Sequence, residues 1–273
     1  MIIIGELINA TRQLIAEAIE AKDNTEIKKA VIRQIEAGAK YIDINAGMGK
    51  GQAREISDME WLIDIVNEIG EIPICVDSSD PVVIDKCLGR IKSADRMINS
   101  ISGESKKIES LLPLIKEHNS CKVVGLTMDD GGIPSDVEKR IEITEKIVKT
   151  LEEAGIPREN IFIDPLIQPI SVDVNNGKVF LESLRAINKE FPGVKTTCGL
   201  SNISFGLPNR RLLNRYFLTL AIGYGLDSAI TDPVDKGTRE AIYMAEALTG
   251  RDEYCMNYIK MFREGFFKTK DKK

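Results

Sequence analysis

Short apolar runs alternate with longer amphipathic segments along nearly the whole chain. Most of the short runs are apolar on successive positions, which is typical of strands buried on both faces. Eight such runs are present, at residues 2–7, 41–45, 73–77, 97–102, 122–128, 161–166, 195–200 and 228–233. Apolar residues at helical spacing follow each run, so the pattern predicts eight strands that alternate with helices.

Two of the intervening segments carry a helix-start signal. Ser57 and Glu60 have the spacing of a capping box, which predicts a helix that begins near Ser57. Ser135 and Glu138 repeat the same spacing before the next long amphipathic stretch. Glycines close both stretches, as helix ends commonly require.

Eight strand–helix units in about 250 residues match the size of an α/β protein of the (β/α)8 TIM barrel class. A doubly wound open sheet is the alternative, but no G-x-G-x-x-G follows the first predicted strand. The chain contains no linker or low-complexity tract. We therefore predict one domain over residues 1–273, with a C-terminal helix and the short basic tail KTKDKK.

Composition narrows the class of protein. Hydrophobic residues make up 43% and charged residues 29%, as in ordinary globular proteins. No apolar run is long enough for a membrane span, and the first residues lack the features of a signal peptide. We therefore expect a cytoplasmic protein with no membrane partner. The net charge of −5, with scattered cations, argues against nucleic acid as a partner.

Cysteine and histidine usage excludes several kinds of site. The five cysteines are widely spaced, and His118 is the single histidine. No C-x-x-C or His/Cys cluster suggests zinc or a disulfide framework, so buried free thiols are expected. A Ser-His-Asp or Cys-His mechanism would depend on His118 alone, which argues against such hydrolases.

Carboxylates and carboxamides gather at the ends of the predicted strands. In a barrel of this class, chemistry is concentrated at the carboxyl ends of the strands. The residues there are Glu6, Asn9, Asp43, Asn45, Asp77, Asn99, Asp129, Asp130, Asp164, Asn202 and Asp232. Helix capping could explain Asp129, Asp130 and Asp232. Asp43, Asp77 and Asp164 instead lie inside apolar runs, and this position favours a polar binding site.

A neutral heterocycle rich in N–H donors fits such a set of acceptors, and the amino-pyrimidinone edge of a pterin is one example. A phosphate would call for basic residues and backbone N–H groups. A Schiff-base lysine is not expected, because Lys195 lies at the start of the seventh strand, at the opposite end. Mg²⁺ or Ca²⁺ bound by carboxylates is an alternative.

Six motifs together resemble a known family. They are GELIN (5–9), DIN (43–45), VDSSDP (76–81), INSIS (98–102), FIDPL (162–166) and GLSNISFGLPNR (199–210). They resemble the pterin-binding methyltransferases, in particular the methyltetrahydrofolate:corrinoid/iron–sulfur protein methyltransferases. The resemblance extends from Met1 to about residue 264, and the last motif is the most specific.

The resemblance implies a homodimeric barrel that binds the pterin of folate in its mouth. The family's pterin-edge ligands fall on Asp77, Asn99 and Asp164, and its asparagine near the reactive N5 falls on Asn202. Arg210 is predicted to reach the glutamate tail of the folate.

Glu6, Asn9 and Asp43 complete the predicted folate-binding set. The implied reaction moves a methyl group between N5 of tetrahydrofolate and the cobalt of a corrinoid. Tetrahydrofolate and 5-methyltetrahydrofolate are the substrates. Asn202 would donate a hydrogen bond to N5 as the methyl leaves. Methyl transfer would then be accelerated by preorganised hydrogen-bond donors, without proton transfer from a side chain.

The corrinoid is expected on a separate corrinoid protein. The D-x-H-x-x-G signature of corrinoid binding is absent, since Lys116 stands in place of its Asp and His118 is followed by Asn-Ser-Cys. No metal bound by this chain is predicted.

Several alternatives stay open at this level. The methyl could flow from folate to corrinoid, as in acetyl-CoA synthesis, or from corrinoid to folate, as in the catabolism of methylated compounds. A non-catalytic pterin-binding or one-carbon carrier protein is a second possibility. A dihydropteroate-synthase-like enzyme is a third, although the Lys and Arg signature expected late in its barrel is not matched.

Overall fold

The computed structural model describes residues 1–268, so residues 269–273 of the predicted basic tail lie outside the described part. Eight parallel strands form one sheet in the order β7-β6-β5-β4-β3-β2-β1-β8. The strands are β1 (Ile2–Asn9), β2 (Tyr41–Asn45), β3 (Ile74–Asp77), β4 (Arg96–Ser102), β5 (Lys122–Leu126), β6 (Ile161–Asp164), β7 (Lys195–Thr196) and β8 (Ser228–Thr231).

Helices follow the strands and surround the sheet. They are α1 (Gln13–Ala21), α2 (Asn24–Glu36), α3 (Gln52–Ile69), α4 (Pro81–Arg90), α5 (Ser105–Glu117), α6 (Val137–Glu153), α7 (Asn176–Glu190), α8 (Arg210–Gly223), α9 (Lys236–Leu248) and α10 (Met256–Arg263). Short 3₁₀ helices lie at Arg158–Asn160, Leu200–Ser204 and Glu253–Cys255. The predicted (β/α)8 barrel is confirmed, as eight parallel strands and the helices between them require.

The seam between β7 and β8 closes the barrel with few contacts. The Ile230 amide donates to the Cys198 carbonyl at 2.8 Å, and the Ser228 hydroxyl donates to the Thr196 carbonyl at 3.0 Å. The regular strand β7 covers only two residues of the predicted run 195–200, because the chain turns into a 3₁₀ helix at Leu200. This early turn brings the segment after β7 to the mouth of the barrel.

The barrel interior is filled by a compact apolar layer. Its members are Ile4, Tyr41, Cys75, Met97, Val124 and Phe162, all buried. A larger apolar cluster packs the outer faces of the strands against the helices. Four of the five cysteines are buried, and all five are free thiols, as predicted. Within residues 1–268, no helix is both long and apolar enough to cross a membrane.

Both predicted capping boxes are wrong. Helix α3 begins at Gln52, five residues before Ser57. Ile56, which precedes Ser57, already lies within this helix and packs against the core. Helix α6 is capped by Asp136, whose carboxylate accepts the Lys139 amide at 2.8 Å. Aspartate is at least as good an N-cap as serine, so the neighbouring Asp136 takes the role that the Ser135 spacing suggested.

Candidate functional site

A cavity of about 680 Å³ opens at the carboxyl ends of the strands. Seven of the eight predicted site residues line it, namely Glu6, Asn9, Asp43, Asp77, Asn99, Asn202 and Arg210. They come from four neighbouring strands and from the segment after β7. The parallel arrangement therefore brings together residues as far apart in the chain as Glu6 and Arg210, as is usual for barrel active sites.

Asp164 is the exception. It ends β6 and is buried, but it is not among the residues that line the cavity. Its carboxylate accepts the Leu166 amide at 2.7 Å and also the backbone N–H of Gly199. Burial raises the pKa of Asp164 to about 6, while these two hydrogen bonds and Arg140 oppose the increase. Asp164 is thus hydrogen-bonded to Gly199, which lines the cavity. Its direct contact with a pterin stays a prediction.

Carboxyl and carboxamide groups pair along one wall of the cavity. The Asn45 carboxamide donates to Asp77 at 2.9 Å, and the Asn99 carboxamide donates to Asp43 at 3.4 Å. Burial raises the pKa of Asp43 well above its ordinary value, and the charge on Asp77 adds to the effect. Burial also raises the pKa of Asp77, although the hydrogen bond from Asn45 opposes it. Such a wall favours a ligand that brings hydrogen-bond donors to these oxygens.

Glu6 and Asp232 extend this acidic surface. Burial raises the pKa of Glu6 and Asp232 adds to it, while the Arg12 guanidinium, 2.6 Å from the Glu6 carboxylate, lowers it. Asp232 accepts the Val234 amide at 2.8 Å and lines the cavity, instead of capping a helix. The strand-end pattern had included Asp232, and capping was the wrong interpretation for it.

Asn202 lies in the 3₁₀ helix after β7 and its side chain is exposed to the cavity. Within residues 1–268, the carboxamide of Asn202 forms no hydrogen bond to another protein group. A Cβ atom added to Gly199 would lie 3.3 Å from Asn202 Nδ2, so the glycine leaves room for this carboxamide. The polar end of Asn202 is therefore available to a ligand.

Arg210 stabilises the same segment. Its guanidinium donates to the Ser201 carbonyl at 2.6 Å and to the Ser204 hydroxyl at 3.1 Å, and it lies over the Phe205 ring. These contacts tie the first residue of α8 to the turn that carries Asn202. Arg210 therefore supports the geometry of the cavity in addition to lining it.

Sequence reasoning missed several cavity residues. These are Thr11, Arg12, Ser201, Arg211, Asn214, Asp235 and Thr238, with Ile230 and Thr231 from β8. Three arginines line the cavity, more cations than the strand-end pattern suggested. The missed residues from α8 and α9 belong to helix starts, where spacing alone does not distinguish a ligand-facing side chain from a solvated one.

Two further observations concern the lysines and the possible metal ligands near this cavity. No lysine lines this cavity within residues 1–268, and Lys195 starts β7 with its ammonium 5.3 Å from the Phe162 ring centroid. In the same described part of the chain, no group of three His, Cys, Asp or Glu side chains is arranged to hold a metal ion.

The fold and the cavity define a (β/α)8 barrel whose mouth is lined by carboxyl, carboxamide and guanidinium groups. Comparison with known families agrees. A family model described as pterin binding enzyme matches residues 5–232, and the chain belongs to that family. The family resemblance predicted from the six sequence motifs is thereby confirmed.

Individual relatives sharpen the comparison. The chain is 39% identical over 266 residues to a methylcorrinoid:tetrahydrofolate methyltransferase of Eubacterium limosum, and the match covers 97% of each chain. It is 31% identical over 244 residues to the methionine synthase of Mycobacterium leprae. That match covers 84% of this chain but 20% of the methionine synthase.

Solved structures show the same fold at lower identity. A dihydropteroate synthase of Yersinia pestis, in complex with a pterine-sulfa conjugate, superposes with a TM-score of 0.68 at 17% identity, covering 92% of this chain and 94% of that one. A dihydropteroate synthase of Coxiella burnetii, in complex with pteroic acid, gives 0.67 at 19%, with 92% and 93% covered. At these identities the likeness concerns the fold alone.

Proposed function

We propose that this chain transfers a methyl group between N5 of tetrahydrofolate and the cobalt of a corrinoid carried by a separate protein. The Eubacterium limosum relative is named methylcorrinoid:tetrahydrofolate methyltransferase, and it aligns with nearly the whole chain. The predicted methyltransferase activity is confirmed at the level of this reaction class. A non-catalytic carrier and a dihydropteroate synthase are not favoured, since the full-length sequence similarity is to the methyltransferase.

The arrangement of the cavity is the observation that carries the chemistry. Asp43, Asp77 and Asn99 form an acceptor-rich wall, and the carboxamide of Asn202 faces the same space with no hydrogen-bond partner among the described residues. A pterin edge that donates N–H groups to the wall would gain charge-assisted hydrogen bonds. The binding energy of this edge would then hold the ring in a fixed orientation while N5 reacts.

Asn202 suits either direction of methyl transfer. A carboxamide carries both a donor and an acceptor. It could accept the N5–H of tetrahydrofolate when N5 attacks the methyl group. In this step the N5–carbon bond forms, the methyl–cobalt bond breaks with its electron pair staying on cobalt, and the proton on N5 is released to water. In the reverse direction it could donate to N5 as the methyl leaves. Neither role needs a titrating side chain at N5.

Methylated corrinoid is proposed as the physiological donor and tetrahydrofolate as the acceptor, in the order that the relative's name gives. The corrinoid would be bound by the partner protein and not by this chain. The homodimer, the cytoplasmic location and the single domain over residues 1–273 stay part of the proposal. Arg210 and Arg211 at the cavity edge are the proposed contacts of the anionic glutamate tail of the folate.

Stopped-flow spectroscopy tests this function. The full chain is mixed with a methylated corrinoid protein and tetrahydrofolate, and the spectrum of cobalt(I) is followed with time. We expect rapid cobalt(I) formation that depends on tetrahydrofolate, and a large loss of rate for Asn202→Ala. Asn257→Ala is a matched control, because Asn257 is an exposed asparagine on α10 and is not among the residues that line the cavity. Tight folate binding without transfer from any corrinoid donor would instead indicate a carrier.

A further inference from the structure

A fully buried arginine lies behind the turn that follows β6. Arg140 stands near the start of α6 and is 1% exposed. Within residues 1–268, its guanidinium forms no ion pair with a carboxylate. Arginine is almost never buried to this extent unless it is paired, so the groups that do satisfy Arg140 indicate its role.

Backbone carbonyl groups take the place of a paired carboxylate. Arg140 Nε donates to the Pro134 carbonyl at 3.0 Å, and Arg140 Nη1 donates to the Leu166 carbonyl at 3.2 Å. Pro134 belongs to the segment between β5 and α6, and Leu166 belongs to the turn after β6. Both segments follow the carboxyl ends of strands, so Arg140 connects two loops at the mouth of the barrel.

Leu166 is the residue through which Arg140 reaches the candidate site. Its φ of 64° lies in the left-handed region, which is unfavourable for leucine. The Leu166 amide donates to the Asp164 carboxylate at 2.7 Å, while the Leu166 carbonyl accepts from Arg140. A strained backbone conformation persists only where its surroundings fix it, and these two hydrogen bonds hold Leu166 on both sides.

Arg140 and Asp164 also attract each other through their charges. Burial lowers the pKa of Arg140, whereas the charges of Asp164 and Asp136 oppose this decrease. Asp136 is exposed, so water screens its charge, but Asp164 is buried. Asp164 is therefore the buried countercharge of Arg140, and the Leu166 backbone connects the two side chains.

The Asp164 carboxylate keeps acceptor positions for a ligand. It accepts the amides of Leu166 and Gly199, and an ionised carboxylate offers about four lone-pair sites. The titratable groups found against it in the described chain are Arg140 and Cys198. Burial, and then the charge of Asp164, raises the pKa of the Cys198 thiol well above its ordinary value, so this thiol stays neutral. Arg140 is thus the cation that favours ionised Asp164.

We propose that Arg140 is a positioning residue for folate, which fixes the Asp164 carboxylate through the Leu166 backbone as an acceptor for the N–H groups of the pterin. The inference deepens the proposed function, and it rests on the predicted contact between Asp164 and the pterin. Arg140 is not among the residues that line the cavity, so it acts through Asp164 and is assigned no contact with the substrate.

Calorimetry of tetrahydrofolate binding from about pH 5 to about pH 8 tests the proposal. Wild-type affinity should fall as the pH decreases through about 6, where Asp164 takes up its proton. Arg140→Met removes the charge but keeps a long side chain. Loss of the cation favours the protonated acid, so the midpoint should move upward by about one pH unit. Affinity at neutral pH should fall at least about 10-fold, because charge-assisted hydrogen bonds are lost.

Two further variants separate this role from a purely structural one. Arg96→Met removes an arginine that also donates to a carbonyl, that of Leu88 at 2.9 Å, but Arg96 begins β4 at the opposite end of the barrel. It should lower the melting temperature without moving the pH midpoint. Arg140→Lys keeps the charge and should keep the midpoint near that of wild type. Its ammonium cannot reproduce the planar guanidinium, so affinity should still fall about 3-fold.

A double-mutant cycle tests whether Arg140 acts through Asp164. The Asp164→Asn background has no carboxylate to position or to ionise. Arg140→Met should therefore change folate affinity less than about 3-fold in that background, against at least about 10-fold in the wild-type background. If Arg140→Met does not fold, the same cycle is measured with Arg140→Lys, and unchanged folate affinity in Arg140→Lys would then overturn the inference.

Three other results would also overturn it. They are an unmoved midpoint in Arg140→Met, an equal movement in Arg96→Met, and an equal loss of affinity in the two backgrounds of the cycle. Methyl transfer is measured on the same wild-type sample. A wild-type protein that binds folate and transfers methyl groups, with an unmoved midpoint in Arg140→Met, would remove the role of Arg140 alone. A wild-type protein that binds no folate would overturn the proposed function as well.

Discussion

Replacement of Asn202 by alanine removes the one cavity carboxamide that we assign to N5. The proposed hydrogen bond strengthens as charge shifts at N5, so its loss should affect the transition state more than the bound ground state. We expect the maximal rate of methyl transfer to fall about 10²- to 10³-fold, comparable with the loss of one preorganised donor, or about 2.7–4 kcal/mol.

The structure predicts that little else changes. The Asn202 side chain forms no hydrogen bond within residues 1–268, so its truncation leaves no internal group without a partner. The free energy of unfolding should therefore stay within about 0.5 kcal/mol of wild type. The folate dissociation constant should change less than the rate, because Asp43, Asp77 and Asn99 also line the cavity and are unchanged.

The assay is a single-turnover measurement at saturating folate, paired with calorimetry for folate binding and with thermal unfolding. Asn257→Ala supplies the control for loss of an exposed asparagine. Gly199→Ala is a second probe, since its new Cβ would lie 3.3 Å from Asn202 Nδ2 and displace the carboxamide by a few tenths of an ångström. It should lower the rate about 3- to 10-fold, because misplacement of a positioned group is costly.

A normal rate together with weak folate binding in Asn202→Ala would refute the role at N5. A lowered melting temperature with equal loss of affinity for all folates would also refute it. In that case Asn202 would act only through the conformation of the turn after β7.

Three further predictions concern the wall, its ionisation and the barrel packing. Asp77→Ala should weaken folate binding about 10- to 150-fold by calorimetry, the cost of one charge-assisted hydrogen bond. The pKa of Asp164 is raised from 3.8 to about 6, so the native protein binds the extra proton and stability is lost as pH rises through this range. Urea unfolding should show Asp164→Asn gaining roughly 2 kcal/mol relative to wild type between pH 4 and pH 7. Gly125→Ala should destabilise the protein by about 1–3 kcal/mol, because its Cβ would lie 2.7 Å from Ile147, whereas Gly89→Ala, with nothing within 4 Å, should stabilise helix α4 by about 0.5–1 kcal/mol.

Each of these has a contradicting result. Unchanged folate affinity in Asp77→Ala would remove it from the pterin edge. Parallel stability curves for wild type and Asp164→Asn would mean that this carboxyl is not perturbed in the native state. Equal effects of the two glycine substitutions would show that the contact between β5 and α6 can adjust at no cost.

Local pattern was enough to predict the alternation of eight strands with helices and the polar residues at the strand ends. Buried parallel strands are apolar on successive positions, so a carboxylate such as Asp43 within one of them is visible in the sequence. The barrel rule then places the ends of all strands at one mouth, and seven of the eight predicted residues do line one cavity. The six motifs also identified the family that the comparisons confirm.

Other features depended on distances between parts of the chain that are remote in sequence. Asp164 is not among the residues that line the cavity, and its carboxylate accepts the backbone N–H of Gly199. Gly199 follows the short strand β7, so this contact depends on where β7 ends. Asn214 and Thr238 reach the cavity only because α8 and α9 start beside it. The two helix starts that were wrongly predicted depended on core packing and on a competing aspartate cap. Patterns of neighbouring residues record burial and turn chemistry, whereas which side chains meet across the barrel is decided by the tertiary packing of strands and helices.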